Sequence, residues 1–214
     1  MVSETATEQR RPSRGERTRQ ALMNAALDQV DRKGSFSGLS LRQVARRAGV
    51  VPTAFYRHFP DMDALGLALV DSSFRALRQL MRETRRAGMP EKQVVRESVA
   101  TYVRYVRANP RHFRFVVKER FSGSPAIRDA IRREIRLFVS ELATDLSRFP
   151  LFDRISSDDL RMIAGLTVNN MTAVTEQILE LPDDDQEEEV LVLREAEQQL
   201  RVILLGAMQW KSRE

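Results

Sequence analysis

The chain has 214 residues, 42% hydrophobic and 30% charged, a balance that excludes wholesale disorder and allows one large domain or a small module joined to a larger one. It contains no cysteine, which removes disulfides and thiolate catalysis and fits a reducing compartment. The net charge of +5 is unevenly spread: residues 1–60 hold 11 Arg/Lys against 5 Asp/Glu, while the remainder is close to neutral, the pattern of a polyanion-binding module on a neutral body.

Residues 1–15 are polar, carry Arg10, Arg11, Pro12, Arg14 and Gly15, and are expected to form a flexible basic arm. Glu16 to Lys33 reads as a helix with Leu22, Ala25, Ala26 and Val30 on one face and Gly34 as its stop. Ser40 is a suitable N-cap for a short helix bearing Leu41, Val44, Ala45 and Ala48, which Gly49 ends. Pro52, tolerated in a first helical turn, opens a second short helix reaching Phe59, and Pro60 stops it. Asp61 then caps a long amphipathic helix marked by Leu65, Leu69, Phe74, Leu77 and Leu80 and ending near Gly88.

Five further helical stripes follow. They are Val95 to Val106, Pro110 to Phe121, Ile127 to Leu142, Ile163 to Ile178 and Val190 to Ala207, with Pro110, Pro150 and Pro182 as punctuation. No run alternates with period two. The expected fold is therefore all-α with about nine helices: an arm over 1–15, a helix-turn-helix module over 16–60, and a helical ligand-binding and dimerisation domain over 61–214. Neither a signal peptide nor a membrane-length apolar run is visible, so a cytoplasmic protein is expected.

The function-bearing constellation is the pair of short helices around Gly49. A helix that enters a major groove about 12 Å wide must be short and must expose hydrogen-bonding rather than acidic side chains. Pro52-Thr-Ala-Phe-Tyr-Arg-His-Phe59 contains no carboxylate. Phe55 and Phe59, four apart, can anchor it to a core, leaving Thr53, Ala54, Tyr56, Arg57 and His58 for nucleic acid. Arg42, Arg46 and Arg47 add positive charge nearby. No nucleophile–base pair, phosphate loop or clustered metal donors accompany this pattern, so neither an enzyme nor a metal site is expected; His112, the only other histidine, has no second histidine near it in sequence.

The run Leu39-Ser-Leu-Arg-Gln-Val-Ala-Arg-Arg-Ala-Gly-Val-Val-Pro-Thr-Ala-Phe-Tyr-Arg-His-Phe59 resembles the DNA-binding domain of the TetR family of repressors. The resemblance implies that Arg42 and Thr53 address base edges, with Ala54 close to the groove floor. Ser40, Tyr56 and His58 would hold phosphates, and Arg57 would do either. One departure stands out: Asp61-Met-Asp63 occupies the place where the family usually carries a lysine in the next helix's first turn, which shifts the expected backbone grip towards Arg10, Arg11 and Arg14.

The runs Pro52-Thr-Ala-Phe-Tyr-Arg-His-Phe59, Leu65-Gly-Leu67, Leu77-Arg-Gln-Leu-Met-Arg82, Asn109-Pro110 and Phe113-Arg114 through Glu119-Arg120 are similar to the FabR/DesT subgroup, which represses unsaturated fatty acid synthesis. That likeness implies a long-chain acyl-CoA or acyl-ACP effector and no cofactor; a drug or another small hydrophobic ligand is the alternative. Phe74, Leu77, Tyr102, Val106, Phe113, Val117, Ile131, Ile135 and Phe138 are the candidate tunnel residues. Arg111, Arg114, Lys118 and Arg120, with Arg132, Arg133 and Arg136, are candidates for the phosphates. The polar stretch Thr167–Thr175 could offer hydrogen bonds to a ligand's thioester or pantetheine, or across a dimer interface; the interface is favoured, because members of the family pair through their last two helices. Met171, Val174, Ile178, Leu200, Ile203 and Leu204 are the expected homodimer contacts, and two recognition helices about 34 Å apart would read a palindromic operator.

Overall fold

The computed structural model describes residues 13–86, 91–182 and 184–212. Among these residues the secondary structure is helical throughout: α1 (Arg14–Lys33), α2 (Leu41–Arg47), α3 (Pro52–Tyr56), α4 (Met62–Arg86), α5 (Glu91–Ala108), α6 (Pro110–Ser122), α7 (Pro125–Leu146), a 3-10 turn (Pro150–Phe152), α8 (Ser157–Glu180) and α9 (Gln186–Met208). The all-α expectation holds, including the number of helices.

Boundaries differ where local chemistry overrides the spacing of apolar residues. α1 starts at Arg14 because Ser13 Oγ accepts the Glu16 N–H (3.1 Å) while the Glu16 carboxylate accepts the Ser13 N–H, a reciprocal capping box. Arg14 and Gly15 are thus helical rather than part of an arm, whereas Arg10, Arg11 and Pro12 lie outside the described residues, as does the expected helix end at Gly88. α3 stops at Tyr56, short of the expected Phe59. Pro150, expected only to break a helix, instead opens the 3-10 turn.

The core has three centres, a small one around Leu142, Phe152, Leu160 and Ile163 and two larger ones of different character. Of the larger two, the first joins α1, α2 and α3 to the start of α4 and to α6 and α7. Leu22, Val30, Val44, Phe55, Leu65, Leu69, Phe115, Ile127 and Ile131 are its most deeply buried members, each essentially solvent-free. The expected boundary at residue 60 is therefore not a packing boundary. Gly66 lets α4 and α7 meet, since a Cβ there would sit 2.5 Å from Ile127 Cδ1. The second centre lies between α4, α5, α6, α8 and α9, with Val99, Val103, Val106, Val174, Ile178 and Ala196 buried.

Polar ties reinforce the first centre. The fully buried Glu119 on α6 accepts the Phe36 N–H at 2.8 Å across 83 residues of sequence. Asp63 of α4 accepts a hydrogen bond from Ser124 Oγ (2.9 Å) at the start of α7, and Asp61 caps α4 by accepting the Ala64 N–H (2.7 Å). The two aspartates that replace the family's usual lysine are thus occupied in building the α4 N-terminus and its junction with α7.

Candidate nucleic-acid interface and internal cavity

α2 and α3 are set by the turn between them. Ser40 caps α2 in a second capping box with Gln43, and Gly49 takes φ +69, a left-handed conformation that a side chain would strain. Pro52 provides the first turn of α3. Phe55 (0% exposed) and Phe59 (2%) then pin the helix, their rings 5.7 Å apart, and the Arg19 guanidinium lies over the Phe59 ring at 5.1 Å. Burial of these two aromatics pushes the intervening positions outward.

Ser40, Arg42, Thr53, Tyr56 and Arg57 are exposed, Tyr56 at 62% despite its size. Ala54 and His58 are half-buried. His58 lies against the first turn of α1, since a Cβ on Gly15 would be 3.8 Å from its Cε1. That places the α1 N-terminus, with exposed Arg14, beside α3. Arg46 is also exposed, but Arg47 is tied by its Nε to Asp28 Oδ2 at 2.6 Å and is largely neutralised. The resulting surface is hydrogen-bonding, locally cationic and free of carboxylates along α3.

Within the larger body lies a cavity of about 690 Å³, inside the roughly 300–1,000 Å³ range of small-molecule sites. Phe74, Leu77, Tyr102, Phe113, Val117, Arg120, Ile135 and Phe138 line it, as the sequence suggested. Three candidates do not. Val106 is buried in the second core centre and Ile131 in the first, both at 0% exposure, and Lys118 is off the wall. A helical stripe is wider than any one cavity, and neighbouring turns face different partners.

The expected phosphate cluster is also redistributed. Arg114 pairs with Asp31 at 3.0 Å and Arg111 lies 3.9 Å from Asp28, so both clamp α6 to α1. Arg132 pairs with Asp129, and Arg133 and Arg136 are exposed away from the cavity wall. Only Arg120 of the set reaches the lining, and its guanidinium also lies 4.7 Å from the Phe121 ring centroid.

Polar groups on the wall come mainly from α5 and α8. Thr167, Thr172 and Thr175, for which the sequence left a ligand contact open beside the favoured interface, line the cavity. Each donates its hydroxyl proton to the carbonyl four residues earlier, at 2.8–3.0 Å. The Thr175 and Tyr102 hydroxyls are hydrogen-bonded to each other (2.6 Å), and burial pushes the Tyr102 phenol up to about 12. Ser98 Oγ, also on the wall, is buried without a partner. Arg96, Ser98 and Arg201 escaped the sequence reading because their helices show ordinary solvated charges; nothing local says that a cavity adjoins them.

Of the expected dimer contacts, Val174, Ile178 and Leu200 are core residues of this chain, at most 7% exposed, because their sides of α8 and α9 face α5. Met171, Ile203 and Leu204 are half-buried. The large apolar side chains that α8 and α9 leave exposed are instead Met162, Leu166, Val190, Leu191, Val202, Leu205 and Met208.

Two family models match the chain: bacterial regulatory proteins of the tetR family over residues 22–69, and the tetracyclin repressor-like C-terminal domain over residues 90–205. Among solved structures, GusR of Salmonella enterica has a TM-score of 0.73 at 19% identity, covering 92% of this chain and 98% of that one. A fatty acid degradation regulator, FadR from Bacillus halodurans, has a TM-score of 0.68 at 12% identity, covering 91% and 97%. A transcriptional regulator from Rhodococcus has 0.69 at 19%, covering 91% and 97%. No helix among the described residues is long and apolar enough to cross a membrane.

Proposed function

Because this chain belongs to the TetR family of bacterial regulatory proteins, a family of DNA-binding regulators rather than enzymes, we propose that it is a homodimeric repressor whose operator affinity is controlled by a long-chain acyl thioester held in the cavity. The observation that carries the proposal is the apolar chamber of about 690 Å³ walled by Phe74, Leu77, Phe113, Ile135, Phe138 and Met171, a volume and chemistry suited to an aliphatic chain. The likeness to a fatty acid degradation regulator, remote at 12% identity, is in keeping with it.

On the DNA side, Arg42 and Thr53 address base edges, Ala54 sits close to the groove floor, Ser40, Tyr56 and His58 hold phosphates, and Arg57 serves either role. The dimer forms through outward apolar residues of α8 and α9 that lie off the cavity, Met162, Leu166 and Val202 among them. Two recognition helices then face successive major grooves about 34 Å apart on a palindrome.

The test pairs operator binding with ligand. Mobility shift on the DNA flanking the gene should reveal a palindromic site bound at least about a thousandfold more tightly than random duplex at physiological salt. Palmitoyl-CoA or oleoyl-CoA should change that affinity, and hydrophobic cations should not. A response to cationic drugs with silence from both thioesters would replace the acyl reading with a drug-responsive repressor.

A further inference from the structure

The cavity is polarised along its length. Most of its wall is buried and apolar, but Arg96, Leu151, Arg201, Leu205 and Met208 are both lining and exposed, so the opening lies where the start of α5 meets the second half of α9 and the 3-10 turn. The helix registers bring the two arginines to this place together. Arg107 on α5 pairs with Glu189 on α9 (2.8 Å) and donates to the Leu181 carbonyl (3.4 Å) at the end of α8. Tyr102 meets Thr175, and Asn170 meets Gln199. α5 therefore runs parallel to α8 and antiparallel to α9. Eleven residues back along α5 from Arg107 is Arg96, and eleven forward along α9 from Glu189 is Leu200, next to Arg201.

Neither arginine makes an ion pair among the described residues, whereas Arg107, on the same helix as Arg96, does. Two carboxylates line the cavity: buried Asp145, which pairs with Arg148 (3.3 Å), and half-buried Glu197, a turn before Arg201 and outside ion-pair distance of it. Two residues on from Arg96, Ser98 Oγ also lines the cavity and is buried without a hydrogen-bond partner. A buried hydroxyl without a partner costs free energy that a ligand's oxygen can recover.

We propose that the cavity selects amphipathic ligands with an anionic head, whose carboxylate or phosphate oxygens are held at the mouth by Arg96 and Arg201, with Ser98 Oγ donating to the first oxygen inside the rim. This rests on the reading of the cavity as an aliphatic effector site, and it moves the head-binding cations from the α6 arginines to the α5–α9 mouth. Glu197 sets the affinity from the opposite direction by repelling the same head.

The experiment measures displacement of the neutral fluorescent probe N-phenylnaphthylamine by palmitate, palmitoyl-CoA and hexadecanol, from wild type, from the Arg96→Gln/Arg201→Gln double variant and from Glu197→Gln. All three substituted side chains are at least partly solvent-accessible, and a thermal melt checks that each variant is folded. Palmitate or palmitoyl-CoA should displace the probe more tightly than hexadecanol. The double variant should lose about tenfold or more of that affinity with hexadecanol unchanged, and Glu197→Gln should tighten the anionic ligand alone. Preference for palmitoyl-CoA assigns the head to phosphates, and preference for palmitate assigns it to a carboxylate. Hexadecanol binding as well as the anions, or an unchanged double variant, overturns the anionic mouth and leaves an aliphatic cavity standing. Failure of all three to displace the probe overturns both.

Discussion

The two larger core centres of this molecule solve opposite problems. Around α1, α2 and α3, large side chains are buried to near zero exposure and even the backbone of the Phe36 loop is hydrogen-bonded from α6 through Glu119. Around α5, α8 and α9, the helices are held apart enough to leave about 690 Å³ empty. Dense packing fixes the geometry of a surface that must match a rigid partner, whereas a hollow sacrifices contacts so that a ligand can supply them. α6 belongs to both: Phe115 and Glu119 face the dense centre, Phe113, Val117 and Arg120 the cavity.

The sharpest way to break this contrast is at Phe55. Its ring is fully buried, so Phe55→Ala should cost about 3–5 kcal/mol, seen as a lower urea midpoint together with loss of DNA binding. An equally large truncation on the cavity wall, Phe138→Ala, should cost much less, because half-buried Phe138 already borders empty space. Equal losses at the two positions would erase the distinction between the centres.

The next effect is alkaline. Tyr102 has its phenol raised from 10.0 to about 12 by burial, so folding favours the protonated form. That stabilisation is intact below pH 10 and disappears as pH climbs through about 12; two units correspond to about 3 kcal/mol at most. Ultraviolet titration should find Tyr102 ionising above the ordinary tyrosine range. A Tyr102→Phe variant should show a shallower loss of stability between pH 10 and 12.

At the junction of the two centres, Glu119→Ala strands the buried Phe36 N–H and should cost about 1–3 kcal/mol. Glu119→Gln retains the acceptor oxygen and should cost less, as chemical denaturation of both variants would reveal. On the surface of the dense end, Arg42→Ala should weaken operator binding by about 1–3 kcal/mol and Tyr56→Phe by about 1 kcal/mol, with melting temperature and oligomeric mass unchanged for both. Loss of stability at either position would make it a structural residue instead.

The dense end was legible because its signals are local. Ser40, Gly49, Pro52 and the Phe55/Phe59 pair act within one or two turns, through capping, a left-handed backbone and side chains four residues apart. The cavity was only partly legible: Phe74, Tyr102 and Phe138 were foreseen, but Val106 and Ile131 carry the same apolar signature and went to solid core. Likewise the arginines of α6 look free in sequence, yet Arg111 and Arg114 meet Asp28 and Asp31 of α1.

Periodicity, caps and helix breakers, all of them interactions within a few residues, were enough to specify the nine helices found among the described residues and a helix-turn-helix segment with its polar side outward. Which face of each long helix meets solid core, void or solvent was decided only when α5, α8 and α9 took their mutual register. Apolar character says that a side chain will leave water, whereas the shape between three packed helices determines whether it touches protein or empty space.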